Sequence, residues 1–465
     1  MINQVLEYVN ENQGRYLHRL KDFLRIPSIS TDPAHKADMR AAAEWACNQL
    51  TSCGIEAQII ETQGHPCVVG DSGPGDGAGP TILIYGHYDV QPTGDRALWE
   101  GDPFEPREVD GNIVARGAAD NKGQVLAHLL AAEAWKKVAG TLPVRCKFLV
   151  EGEEEIGSQH LKPILEGHRG RLACDYVVIS DTAKLDADTP AITYGTKGMA
   201  YMEIEVIGPK QDLHSGSFGG SVTNPGNALC RIIASLKDSD DRVTIPGFYD
   251  DVQEVSGRER QMINALPFSE TQYLNMVGSP SLNGEAGFTT PERRGIRPTL
   301  DVNGLFGGFM GEGMATIVPK KVGAKVSMRL VPDQDPEKIA RAFDEAVRSL
   351  TPDGVRVTTR LLAGCRAYVC PLDLPGLSAA KLAIKDGFGI EPVLMREGGS
   401  LPILPMFKQI LGADSIMIGL CRPDANIHGP NEFFVKDDFF AGIRTSACFM
   451  RHLAQGAEAP IGERI

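Results

Sequence analysis

The sequence predicts an α/β protein in which a discontinuous sheet-and-helix domain is interrupted by a smaller α+β unit. Three observations lead there. Short apolar runs of strand character alternate with helix-length segments through roughly residues 1–195, the pattern of a sheet lying under helices. From about Thr196 the runs alternate apolar with polar, as strands with one solvated face do. From about Pro371 the first character returns.

The elements follow in order. Val5, Tyr8, Val9, Tyr16, Leu17, Leu20 and Leu24 recur at helical intervals and stop before Pro27, and a second helix runs from about Lys36 to Cys53. GIEAQIIET, TILIYGHYDV and VRCKFLVEGEE read as strands, with the helical QVLAHLLAAEAWKKV between the last two and DYVVISD as a further strand. DSGPGDGAGP is a Gly/Pro-rich surface loop. In the inserted unit MAYMEIEVIG, KKVGAKVSMRLVP and GVRVTTRLLAG are strands, while PGNALCRIIASLK and PEKIARAFDEAVRSL are helices. About Asp250 to Pro298 is an irregular excursion rich in Gly, Pro and polar residues. PGLSAAKLAIKDGFG, SIMIGL and FVKDDFFAGIRTSACFMRHLAQ then give helix, strand and closing helix. The domains are therefore 1–195 with 371–465, and an inserted 196–370, an arrangement that loop tips tolerate.

Composition narrows the function classes. At 465 residues the chain exceeds one ordinary domain of roughly 100–200 residues. Sixty acidic against forty-seven basic side chains leave a net charge of -13, which repels phosphate backbones and anionic bilayers, so neither nucleic acid nor membrane is expected as a partner. No apolar run is long enough to span a bilayer and the N-terminus reads as a helix, so a cytoplasmic protein is expected. The ten cysteines are scattered without a CxxC pair and read as buried thiols. A zinc or redox role for Cys365 and Cys370, close together on a strand and loop, is considered and set aside.

Candidate chemistry collects at strand ends. TILIYGHYDVQP brings His87 and Asp89 to a carboxyl end, two residues apart and on the same side, so Asp89 can supply the acceptor that a ligand histidine needs for its second nitrogen. A solvated pair is the bland alternative. RGAADNKG places Asp120 where a helix opens, as either a cap or a ligand. EGEEEIGS crowds Glu151, Glu153, Glu154 and Glu155, which raise each other's pKa and favour a cation, or else form a solvated acidic loop. DYVVISD delivers Asp181, and NIHGPNE sets His428 in a turn before the closing helix. Singly each is weak. Together they are the His/carboxylate set suited to a hydrolytic two-metal site.

GHYDVQP, RGAADNKG, EGEEEIGS, ISD, DLHSG, REGGSLPI and NIHGPNE moreover stand in the order found in the dinuclear-zinc metallopeptidases, and nearly the whole chain resembles that family. It includes carnosinase-type cytosolic dipeptidases, aminoacylase, acetylornithine deacetylase, succinyl-diaminopimelate desuccinylase and carboxypeptidase G. The resemblance implies a zinc-exopeptidase-like three-layer catalytic domain with an inserted α+β sandwich serving as lid and dimerisation domain. It implies two divalent metals, zinc first with manganese or cobalt as alternatives. His87 and Asp181 would hold one, Glu155 and His428 the other, with Asp120 bridging and a cis peptide from Asp120 to Asn121. Glu154 would be the general base, with Glu153 the variable position of EGxEExGS, and Asp89 would orient His87.

The same resemblance makes His214 of DLHSG an oxyanion donor supplied across a homodimer, where the residue alone reads equally as a turn. Arg329 would bind a substrate carboxylate, a task that suits a guanidinium, although a surface salt bridge is its plain alternative. Asn303, Thr316 and the glycine loop with Gly399 and Ser400 would make further substrate contacts. Asp at position 181, where deacylases and carboxypeptidases of the family carry Glu, and the long lid excursion resemble the dipeptidase branch. Hydrolysis of a small peptide, a dipeptide with free amine and carboxylate, is therefore expected. An N-acyl amino acid deacylase or carboxypeptidase is the alternative, and a noncatalytic metal-binding or scaffold protein the reading from another class.

Overall fold

A computed structural model of the chain describes residues 1–75 and 79–456; part of the Gly/Pro-rich loop (76–78) and the last nine positions (457–465) lie outside the described residues. The chain divides into two compact units, one formed by Met1–Tyr194, Cys370–Met395 and Met406 onward, the other by Gly195–Val369 and Arg396–Pro405. Segment 396–405, which the sequence reading assigns to the C-terminal α/β part, thus packs with the smaller unit. Its ties explain this: Arg396 pairs with Glu259, Gly399 O accepts from Lys197 N at 3.0 Å, and Ser400 Oγ accepts from Arg329 Nη1 at 2.8 Å.

In the first unit a sheet runs in the order Glu56–Ile60, Cys67–Asp71, Cys146–Glu151, Ile82–His87, Tyr176–Ile179, Asp414–Ile418, Ala191–Thr196. Its four middle strands are parallel to one another. Every residue of Ile82–His87 and of Cys146–Glu151 is buried, as expected of parallel strands covered on both faces. Neighbouring side chains identify the covers, because they point to opposite faces. The Tyr85 ring meets Phe407, on helix Ile403–Leu411, at 5.1 Å. Gly86 faces helix Gly123–Ala139, where an added Cβ would lie 2.2 Å from Val125 Cγ2 and 2.7 Å from Asn121 Oδ1. Only glycine lets the start of that helix approach the His87 strand so closely. At the N-terminus the helical segment breaks into Ile2–Glu11 and Gln13–Leu24 at Asn12, whose amide donates to Tyr8 O at 2.8 Å.

The second unit is built on an antiparallel sheet ordered Thr299–Gly307, Lys321–Leu330, Gly198–Ile207, Arg356–Cys365. Burial alternates residue by residue along Gly198–Ile207, and the covered face packs Met202, Ile204 and Val206 with Leu229, Ile232, Phe343 and Val347 of helices Pro225–Ala234 and Pro336–Ser349. The excursion expected to be irregular contains three short helices, Gly257–Asn264, Glu270–Val277 and Thr290–Gly295. Their caps Ser256, Ser269 and Thr289 each stand three residues before Glu259, Gln272 and Glu292, a helix-start signal hidden among Gly and Pro. Among the described residues no helix is long and apolar enough to cross a membrane.

Candidate metal centre

The parallel strands of the first unit carry polar residues to one edge. His87 ends its strand in register with Glu151, while His87 and Asp181 stand two positions beyond the paired Tyr85 and Ile179. Asp120 lies in the turn before helix Gly123–Ala139, where Gly117 has φ +84° and Asp120 itself is non-helical at φ -133° and ψ 94°. The Asp120–Asn121 peptide is cis. His428 occupies the left-handed region at φ +62°.

These turns bring five side chains together as two groups that share Asp120. His87 Nε2 stands 3.1 Å from Asp120 Oδ1 and 3.6 Å from Asp181 Oδ2. His428 Nε2 stands 2.9 Å from Asp120 Oδ2 and 3.3 Å from Glu155 Oε2. Within each group one donor atom per residue lies within 4.8 Å of the others, close enough to hold a cation. Asp89 acts differently from the simple orienting role. His87 Nδ1 donates to the Asp89 backbone O at 3.0 Å, with the carboxylate at 3.3 Å, and that carboxylate accepts from Glu154 N and Glu155 N at 3.3 and 3.1 Å. One residue therefore holds both a ligand histidine and the glutamate turn.

The charges explain what the site is fitted to hold. Asp89, Asp120, Glu154, Glu155 and Asp181 face His87 and His428. Burial penalises charge on His87, but the carboxylates of Asp120, Asp181 and Asp89 outweigh it and lift the imidazole well above its usual range. Burial pushes the Glu154 carboxyl well up, with His87 opposing and Asp181, Asp120 and Glu155 adding to it. Burial likewise raises Glu155. On Asp120 the two imidazoles outweigh burial and hold the carboxyl below the carboxylate range. Two buried atoms, His87 Nε2 and Glu155 Oε1, have no hydrogen-bond partner. His87 Nε2 thus lies near Asp120 and Asp181 without meeting hydrogen-bond geometry, as a ligand atom beside a cation does. So many buried carboxylates are costly unless positive charge joins them, and the residues fit a pair of divalent cations.

A pH dependence follows. Hydrogen bonds to Asp120 and Glu155 raise His428 from 6.5 to about 10. A raised folded pKa stabilises the metal-free chain fully below 6.5, and this contribution is lost as pH climbs through about 10. A cation held by Asp120, Glu155 and His428 would displace that proton, so the affinity of this group for Zn or Mn, read by chelator competition, is expected to rise about tenfold per pH unit across this window. An affinity flat with pH would mean that no such proton is displaced.

The remaining expected residues belong to the second unit. Arg329, paired with Thr299 across the sheet, donates to Ser400. His214 pairs with Ile317, and Ser215 N donates to Thr316 O at 2.9 Å, which makes His214 and Thr316 neighbours. His214 Nδ1 accepts from Gly216 N and Ser217 N, each at 3.1 Å, so the neutral ring carries its proton on Nε2. Asn303 is exposed where the register of its strand slips, and Gly399 is exposed in the glycine loop. Two supports went unnoticed in the sequence although both lie inside the motifs. Gln91 Nε2 donates to Glu155 Oε2 at 2.8 Å, and Asn121 Nδ2 donates to Asp181 Oδ1 at 3.0 Å. Among the described residues neither cation-ready group includes a cysteine, and none of the ten cysteines forms a disulfide.

The model of peptidase family M20/M25/M40 matches residues 83–452. The chain is 31% identical to the human Beta-Ala-His dipeptidase over 98% of its own length and 93% of that protein. It is 31% identical to the Cys-Gly metallodipeptidase of Schizosaccharomyces pombe, over 97% of its length and 98% of that protein. The crystal structure of an M20 family metallo-carboxypeptidase from Sulfolobus solfataricus superposes with a TM-score of 0.83 at 32% identity, covering 95% of this chain and 99% of the other.

Proposed function

Because the chain belongs to peptidase family M20/M25/M40, we propose that it is a metal-dependent dipeptidase working through a two-cation centre. The observation that carries the reading is the pair of cation-ready groups sharing Asp120. His87, Asp120 and Asp181 would hold one ion and Asp120, Glu155 and His428 the other, zinc first and manganese or cobalt as alternatives. Bound there, the ions would polarise the scissile carbonyl and acidify a water.

The chain's own groups do the rest. Glu154 accepts the proton of the attacking water on its carboxylate and returns it to the departing amine. Asp89 keeps the Glu154–Glu155 turn fixed against His87 through the bonds described above. His214 directs Nε2–H at the oxyanion, supplied from the second subunit of a homodimer. Arg329, assisted by Ser400, binds the substrate carboxylate, with Asn303, Thr316 and Gly399 as lesser contacts. The homodimer reading is supported by the outer strand Thr299–Gly307, which exposes Val302 and Leu305, and by Phe309, Met310 and Met314 just beyond it. Ten cysteines and no disulfide among the described residues support a reducing, cytoplasmic setting.

A carboxypeptidase, as the Sulfolobus relative is named, is the second reading, and an N-acyl amino acid deacylase is its companion alternative. Asp181 favours the dipeptidase. A panel of dipeptides, their N-acylated forms and longer peptides, run with Zn and Mn, decides. Free dipeptides are expected to turn over at least tenfold faster than N-acyl forms, a difference of about 1.4 kcal/mol. The opposite ranking would replace the dipeptidase assignment.

A further inference from the structure

Glu432, the last residue of NIHGPNE, has no part in the reaction derived above. It is fully buried, and its two carboxylate oxygens receive four donors. One oxygen accepts from Ala119 N at 2.8 Å and Asp120 N at 3.0 Å. The other accepts from Gly117 N and Arg116 Nη1, each at 2.9 Å. Since a carboxylate offers about four lone-pair directions, all are taken. Arg116 is itself buried, donates to Pro92 O at 3.1 Å and lies over the Trp99 ring. Backbone contacts repeat the link: Ala115 N donates to Glu432 O at 3.0 Å, and strand Phe433–Val435 pairs with Asn112–Val114.

Three loops meet at this pair: the one running from His87 to Pro92, the Asp120 turn, and the His428 turn. We infer that Glu432 is a positioning residue that holds the His428 turn at a fixed distance from Asp120 and so sets the affinity of the Asp120–Glu155–His428 group for its cation. The effect is asymmetric. The His87 and Asp181 side chains are held by Asp89 and Asn121, so their group loses only the support that Glu432 gives the shared Asp120. The His428 turn, with Asn426, His428 and Asn431 at positive φ, is also tied through Asn431 to Leu98 O and Glu100 N, and the backbone links at Glu432 and Phe433–Val435 anchor its far end. Glu432→Gln presents N–H donors where a carboxylate oxygen accepts, so it breaks the clamp without changing its volume.

The test is calorimetric titration of metal-free protein with Zn and Co, together with the visible absorption of bound Co. In Glu432→Gln the second equivalent, that of the Asp120–Glu155–His428 group, is expected to bind roughly 10–100-fold more weakly and its Co band to shift, with the first equivalent weakened less. Glu133→Gln is the control, since it removes a buried carboxylate that pairs with Arg15 and Arg19 away from the site. It should lower the melting temperature and leave both affinities intact. If Glu432→Gln does not fold, Arg116→Met, which removes one of the four donors, should weaken the same equivalent to a lesser degree. A second equivalent that binds either variant as tightly as wild type overturns the inference, as does equal weakening in Glu133→Gln. The inference rests on the two-cation reading: a wild-type chain that takes up fewer than two ions overturns both, whereas two ions bound with equal affinities in wild type and in Glu432→Gln overturn this one alone.

Discussion

Glu154→Gln is expected to lower kcat roughly 10²–10⁴-fold, the usual contribution of a general base, while both cations remain bound. The amide is nearly the same size, the Glu154 N–H that donates to Asp89 is untouched, and Glu154 is in neither cation-ready group. The same substitution should stabilise the metal-free chain near neutral pH. Burial raises the Glu154 carboxyl, so its stabilising neutral form is lost as pH rises through the folded value, a loss that glutamine never suffers. Turnover, metal content by mass spectrometry and thermal unfolding of the metal-free protein measure the three effects. A variant that keeps near-normal turnover would remove Glu154 as the base.

The second large effect is expected at His214. Removing one oxyanion donor costs about 10²–10³ in kcat, but His214→Ala would also remove the acceptor that caps the short helix Ser215–Phe218. His214→Asn separates the two roles, because asparagine can still cap while the Nε2–H is gone. Both variants should lose turnover and keep their metal. Mixing His214→Asn with Glu154→Gln subunits then tests where the donor acts. If it acts across the dimer, a mixed dimer has one site with Glu154 from one chain and His214 from the other, and activity returns that neither parent has. No recovery would place His214 within its own subunit, and undiminished turnover in His214→Asn would remove it from the reaction.

Much of the candidate centre is legible in the sequence because several of its His and carboxylate residues follow apolar strands whose burial the sequence displays directly. His87 and Asp181 are such cases, and the order of the motifs joined them to Asp120 and His428. What escaped depended on contacts between segments distant in the chain. Gln91 and Glu432 look like ordinary loop residues until Glu155 and the Asp120 turn are placed beside them. The same is true of segment 396–405, whose place in the smaller unit is decided by Glu259, Lys197 and Arg329. The helices between 257 and 295 were a different failure, since their caps were visible and the surrounding Gly and Pro outweighed them.

The division of the larger unit into separated stretches of chain also orders its assembly in time. His87, Asp120 and Asp181 are all part of the chain before residue 195 is added, whereas His428 and the Asp414–Ile418 strand beside Tyr176–Ile179 are made more than two hundred positions later. Domains fold as units during synthesis, and pairings so distant along the chain are slow to form. The inserted unit has its own core and can be complete while the sheet still awaits its last parallel strand. The earliest-made members of the candidate centre must therefore wait, unfinished, for the latest, and the group of Asp120, Glu155 and His428 first exists when translation has passed His428.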